Sequence, residues 1–134
     1  LIYRTHKLKN LLTDLSKEYE FNPNNITAVG YSNGANLIAS LLMHYKHIVK
    51  EAILLHPMVP IRNVAIPLMP DTSVMITAGS NDPIVPSKET EELYTLLKDA
   101  QADIEIKWYP YGHRLSQDEL SDIKSWLEKK EITV

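Results

Sequence analysis

Ile26-Thr27-Ala28-Val29-Gly30-Tyr31-Ser32-Asn33-Gly34-Ala35 is the stretch on which the reading of this chain turns. Its first four residues are a short apolar run of strand type. From Ala35 to Tyr45 the chain is helical in pattern, with Leu37, Ile38, Ala39, Leu41, Leu42 and Met43 apolar over most of the circumference. Between strand and helix lies the pentapeptide G-x-S-x-G at 30–34. At such a junction the turn holds its serine in a strained conformation and presents the hydroxyl, while small flanking residues let helix and strand approach. The pentapeptide alone is a weak signal, arising by chance in roughly a few per cent of chains of this length. The strand before it and the helix after it give it weight.

Outward from this point the pattern continues. Upstream, Leu8, Leu11, Leu12, Leu15 and Tyr19 share a helical face, so a helix is predicted over 3–20, stopped by the turn Asn22-Pro23-Asn24-Asn25. Downstream, Glu51 to His56 and Ser73 to Ala78 read as strands, separated by a loop that Pro57, Pro60, Pro67 and Pro70 keep irregular. A helix is predicted from Lys88 to Ala100 with Ser87 as its N-cap, then an alternating strand from Asp103 to Tyr109 with one face more exposed. Ser116-Gln117-Asp118-Glu119 is a capping box opening a last helix that buries Leu120, Ile123 and Leu127. Strands separated by crossovers of this length imply an α/β fold: a doubly wound, mostly parallel sheet flanked by helices.

The totals bound the function classes. One domain fits in 134 residues, and 44% hydrophobic with 23% charged residues is ordinary for a globular protein. A net charge of −3 with scattered lysines argues against a nucleic-acid surface. With no cysteine there is no disulfide, thiolate metal site or cysteine nucleophile. No apolar run reaches membrane-spanning length, so no membrane partner is expected, and cytoplasm is the default location. The oligomeric state, monomer or homodimer, is left open.

In parallel sheets reactive groups gather at the carboxyl ends of strands. Ser32, Asp82 and His113 each follow such an end, so three residues distant in sequence are expected on one rim. A serine hydroxyl needs a base, a histidine near neutrality can supply it, and a carboxylate can fix that histidine's tautomer. The N–H of Asn33, the residue after the serine, can donate to an oxyanion. Asp71 precedes a strand and falls at the opposite edge. His44 and His47 are three apart but lie near a helix C-terminus, where they satisfy carbonyls rather than bind metal; no metal or cofactor is expected. His56 ends a strand on the active rim and is read as structural, and Arg62 as a solvated loop residue. Met58 and Ile84, with Val59 and Ile61, are candidates for an apolar substrate pocket; the alternative is that loop 57–72 packs onto the core.

The motifs G-Y-S-N-G-A at 30–35, L-H-P-M-V-P at 55–60, T-A-G-S-N-D-P-I-V-P at 77–86 and G-H at 112–113 resemble those of small serine carboxylesterases among the α/β-hydrolases, the phospholipase/carboxylesterase group. The resemblance covers most of the chain from Ile26 onward and implies a triad of Ser32, Asp82 and His113. The dienelactone-hydrolase branch is less similar, because it uses a cysteine nucleophile. Family members begin with further strands and a glycine-rich loop, often starting His-Gly, that supplies a second oxyanion donor. Helix 3–20 resembles the helix leading into the nucleophile strand. The expectation is therefore a single α/β-hydrolase domain over 1–134, incomplete at its N-terminus, acting on small-molecule esters. A thioesterase, lactonase or acyltransferase, or a catalytically silent binding module, would carry the same features.

Overall fold

Two segments of this chain are buried at nearly every position, and they take the centre of the sheet. The computed structural model describes residues 1–20, 22 and 25–132. Its elements run α1 (Ile2–Glu18), β1 (Thr27–Tyr31), α2 (Asn33–His44), β2 (Glu51–Leu55), β3 (Ser73–Gly79), α3 (Ser87–Asp99), β4 (Asp103–Tyr109) and α4 (Gln117–Ile132). The strands pair in parallel in the order β1-β2-β3-β4, with β2 and β3 inside. Parallel strands covered on both faces have no polar side to show, which is why 52–55 and 74–78 read as continuous apolar runs.

The pleat sends alternate residues to opposite layers. Ala52, Leu54, Val74 and Ile76 meet α2 and α3 through Ile38, Ala39, Leu42, Leu93 and Leu97, with Leu8 and Leu12 of α1 packed against the same cluster. Ile53, Leu55 and Met75 face the other way, onto Ile123 and Trp126 of α4. Each fully buried aliphatic side chain in these layers is worth about 1.5–3 kcal/mol of transfer free energy. Thr5 of α1 is buried and bonds Ser40 of α2 at 2.8 Å, a polar pair satisfied inside the helix contact. The outer strands are half-clad: Val29 of β1 is 58% exposed, and β4 turns Asp103, Glu105 and Lys107 to solvent.

Register sets the rim. Tyr31 lies beside Leu55, Leu55 beside Thr77 and Gly79 beside Tyr109, so the four strands end nearly abreast. The residues that follow, Ser32, His56, Ser80 and Pro110, therefore open onto one edge. Asp71 lies at the other, beside Asn25, Lys50 and Thr72.

Three local expectations are corrected. Ser87 is the first helical residue of α3 rather than its cap; Pro86 holds the cap position and offers no side-chain bond. Tyr19 falls just outside α1 and is exposed. In α4 the inward face is Glu119, Ile123 and Trp126, whereas Leu120 is 47% exposed and Leu127 only partly buried. Loop 57–72 is irregular, and Val59 and Met69 are buried, Met69 N–H donating to Ala100 at 2.8 Å. Of the turn assigned to 22–25, Pro23 and Asn24 lie outside the described residues.

Candidate active site

Ser32 sits between β1 and α2 at φ 55° and ψ −113°, a region a serine occupies only when its surroundings impose it. What imposes it is the close packing of strand and helix. A Cβ on Gly30 would lie 2.6 Å from the backbone of Gly34, so only glycine fits there. Gly34 is different: a Cβ there meets nothing within 4 Å, so this second glycine is not needed for the approach among the described residues. The Ser32 N–H is held by the Leu55 carbonyl at 2.8 Å, which ties the turn to β2.

His113 comes from the loop after β4, reached through Gly112 at φ 70°. Three ties set that loop: Asn81 Oδ1 accepts from Gly112 N–H at 2.8 Å, Asn81 Nδ2 donates to the Pro110 carbonyl at 3.3 Å, and the Tyr31 hydroxyl donates to the His113 carbonyl. Its ring is 13% exposed and bridges the site. Nε2 is 3.0 Å from Ser32 Oγ, and Nδ1 is 2.5 Å from Asp82 Oδ2. Asp82, in the turn after β3, has a side chain only 1% exposed. Its Oδ1 accepts the N–H groups of Ile84 at 2.8 Å and Val85 at 3.0 Å. Burial pushes this carboxyl up, but the hydrogen bonds from His113, Val85 and Ile84 together outweigh it and hold the group below its ordinary value. Asp82 is thus ionised at neutral pH, His113 Nδ1 carries the proton, and Nε2 turns a lone pair toward Ser32. That arrangement can remove a proton from the serine and return it to a leaving group.

Asn33 opens α2, where first-turn N–H groups have no partner within the helix and can donate to an anion. Beside it lies a cleft of about 690 Å³ lined by Leu37, Met58, Val59, Pro60, Asn36 and Arg4 among others. Its wall is held by Asn36 Oδ1, which accepts the Met58 N–H at 2.7 Å. Met58 therefore lines the cleft beside Asn33, whose lining does not include Ser32 or His113. Ile84 does not line it: its side chain is 63% exposed, and its part in the site is the N–H that caps Asp82. Arg62 is bound by Glu92 and Glu89 of α3. His44 Nδ1 bonds the Ser40 carbonyl at 2.7 Å, inside the last turns of α2.

Sequence reasoning gave Glu119 only a capping role and read His56 as structural, at most lining the cleft. Both are buried in the same network: His56 Nδ1 lies 3.4 Å from Asp82 Oδ2, and its Nε2 lies 2.9 Å from Glu119 Oε2. The strand-end position of His56 was the available signal. His56, Asp82 and His113 present donor atoms within 4.8 Å of one another, the spacing of a metal site. Two ligands of one tetrahedral ion would stand about 3.4 Å apart, given bonds near 2.1 Å. The 2.5 Å between His113 and Asp82 is a proton-sharing distance instead.

A parallel sheet between helices, with a serine elbow, a carboxylate and a histidine at its carboxyl rim, defines an α/β-hydrolase. The chain belongs to the dienelactone hydrolase family, whose sequence profile matches residues 4–129. The absence of cysteine pointed away from this branch; the match holds with Ser32 at the elbow. Among curated relatives, "Putative hydrolase MhqD" of Bacillus subtilis (strain 168) is 44% identical over 129 residues, covering 96% of this chain and 64% of that protein. Carboxylesterase SOBER1 of Arabidopsis thaliana is 31% identical over 115 residues, covering 81% of this chain and 50% of that protein. The crystal structure of the Bacillus cereus carboxylesterase superposes with a TM-score of 0.92 at 48% identity, over 96% of this chain and 60% of the other. The chain thus spans between half and two thirds of the length of these relatives, which are a hydrolase by name and carboxylesterases. None of its described helices is long and apolar enough to cross a membrane.

Proposed function

We propose that this chain carries the reacting residues of a serine hydrolase that cleaves small carboxylic esters through an acyl-enzyme. The observation that supports the reading is the unbroken run Ser32 Oγ, His113 Nε2 at 3.0 Å, His113 Nδ1, Asp82 Oδ2 at 2.5 Å. Ser32 Oγ attacks the ester carbonyl carbon while His113 Nε2 takes its proton. The tetrahedral oxyanion is held by the Asn33 N–H, the first free donor of α2 after the serine. Collapse breaks the bond to the alkoxy oxygen, which leaves with the proton from His113. Water then gives its proton to His113 and attacks the acyl carbon; collapse breaks the bond to Ser32 Oγ, which takes that proton back from His113 as the acid leaves. Asp82 stays ionised throughout and steadies the imidazolium. The apolar wall around Met58 suits a short acyl or alcohol group, with few polar anchors.

Fluorophosphonate labelling of the full-length protein tests this reading. A serine hydrolase labels at Ser32 and loses the adduct in Ser32→Ala; a folded protein that refuses the probe is a silent module. A p-nitrophenyl ester series run against thioesters and lactones then tests the substrate class. An optimum at an acyl chain longer than butyrate, or on a thioester, would count against a small-ester hydrolase.

A further inference from the structure

We propose that His56, held in place by Glu119, is a positioning residue that fixes the orientation of the Asp82 carboxylate beneath His113. This rests on the reading of Ser32, His113 and Asp82 as the reacting set, and concerns two residues that set does not include.

The argument starts from the protons. Both nitrogens of the buried His56 ring face carboxylate oxygens, Nδ1 toward Asp82 Oδ2 at 3.4 Å and Nε2 toward Glu119 Oε2 at 2.9 Å. A neutral imidazole has one N–H, and a bare ring lone pair set against a carboxylate is repulsive. The His56–Glu119 pair therefore holds an additional proton, either on Nε2 as an imidazolium or on Glu119 Oε2 donating to Nε2. The Thr77 hydroxyl, donating to the same Glu119 oxygen at 2.8 Å, fits both arrangements. In both, the Nδ1–H of His56 points at Asp82. Glu119 thus acts through the shared proton, which leaves the Nδ1–H facing Asp82; this differs from Asp82, which accepts the only proton of a neutral His113.

The Asp82 carboxylate is then held on every side. Oδ1 is pinned by Ile84 and Val85, and Oδ2 accepts from His113 and, at longer range, from His56. The long contact contributes direction more than strength. Glu119 is anchored in turn by the start of α4, where Ser116 Oγ accepts its N–H at 3.1 Å. In an ordinary capping box the glutamate side chain reaches back to the cap N–H; here it is fully buried, its Oε2 engaged by His56 and Thr77 and its Oε1 by the Ser116 hydroxyl at 3.5 Å. His56 itself sits at φ 56°, a backbone strain that its two bonds offset. The other titratable groups around the pair are Tyr31 of β1, whose ring centroid is 5.8 Å from that of His56, and His113 at 5.4 Å. Asp118 and Asp122 of α4 are engaged by the Tyr111 and Tyr109 hydroxyls.

Removing the Nδ1–H leaves Asp82 more electron-rich and less fixed. His113 then holds its proton more tightly, so the acid limb of kcat/KM moves to higher pH. Loss of orientation lowers kcat with little change in KM.

The test uses three variants of the full-length protein with a p-nitrophenyl ester. Glu119→Gln keeps the tautomer, since an amide NH2 in the place of Oε2 can donate both to His56 Nε2 and to the Thr77 hydroxyl oxygen; activity within about threefold of wild type is expected. His56→Leu/Glu119→Gln removes the donor without stranding a buried carboxylate. It should lose about tenfold to a hundredfold in kcat, with the acid limb raised by about half to one pH unit. His56→Asn/Glu119→Gln restores a donor near the Nδ1 position, on a residue that tolerates positive φ, and should recover both. Nitrogen-15 NMR of the His56 ring in the unmodified protein at neutral pH gives an answer even if the leucine variant fails to fold: Nδ1 should be protonated. A deprotonated Nδ1, or a folded leucine variant with wild-type kcat and acid limb, overturns the inference while Ser32 labelling persists. Labelling that ignores His113→Ala overturns the underlying triad instead, and the two failures are distinct.

Discussion

Gly79→Ala is the sharpest probe of how the site is held, because Gly79 touches no reacting atom. It ends β3, and a Cβ built on it would stand 2.1 Å from the Gly112 carbonyl oxygen, with Gly112 C at 3.0 Å and Asp82 Cβ at 3.2 Å. Ordinary contact begins at 3.4 Å, so the shortfall to the oxygen is about 1.3 Å. The obstruction is backbone and cannot rotate away. The turn carrying Gly112 must move, and the next residue is His113, whose Nε2 reaches Ser32 at 3.0 Å. A displacement near 1 Å at the base costs about a hundredfold in rate. Overpacking in a well-filled contact costs about 1–3 kcal/mol of stability. The expected result is a folded protein with a lowered urea midpoint and kcat/KM for a p-nitrophenyl ester reduced about a hundredfold. Wild-type kcat/KM in Gly79→Ala would refute the claim that contact between the turns after β3 and β4 positions the imidazole.

Asp82→Asn should keep the fold and lose about 10⁴-fold in kcat, since an amide favours the wrong tautomer of His113; steady-state kinetics with fluorophosphonate labelling checks this. Asp82 also bears on acid stability. Its folded pKa is depressed, so the stabilisation it brings is present above the ordinary value of 3.8 and is lost as pH falls below it. Urea midpoints measured between pH 6 and 2 should fall less steeply in Asp82→Asn than in wild type; parallel slopes would contradict the assignment. On α4, Trp126→Ala should cost about 3–5 kcal/mol, because Trp126 is 5% exposed and packs beneath the sheet. Leu120→Ala, at an exposed position, should stay within about 0.5 kcal/mol of wild type, and equal losses for the two would restore the helical face expected from sequence.

α4 marks where local pattern ceased to decide. Positions 120, 123 and 127 and positions 119, 123 and 126 both satisfy a 3.6-residue period, and the first set is the more apolar. The helix is rotated toward the second because Glu119 finds His56 and Thr77 waiting inside. No reading that counts hydrophobic residues can turn a carboxylate inward; only its partners from β2 and β3 make that burial affordable. Ser87 and Pro86 are the smaller version, a cap position whose hydroxyl is displaced by one residue when proline takes the turn. Ile84 offered an apolar side chain to a pocket and instead contributes its N–H to Asp82.

By contrast, the central strands, the serine turn and the rim order were written locally. Continuous apolar runs at 52–55 and 74–78 demand burial on both faces, hence parallel neighbours and crossovers of one hand. Once the strands are parallel and in register, whatever follows their ends must share an edge, and Ser32, Asp82 and His113 do so without further instruction. Distances are another matter. That Ser32, His113 and Asp82 close to 3.0 and 2.5 Å, and that a second imidazole and a second carboxylate stand behind them, depends on how four loops settle against one another. Burial makes unpaired charge costly, so the buried groups choose their partners across the fold, and that choice is visible only once the chain has folded.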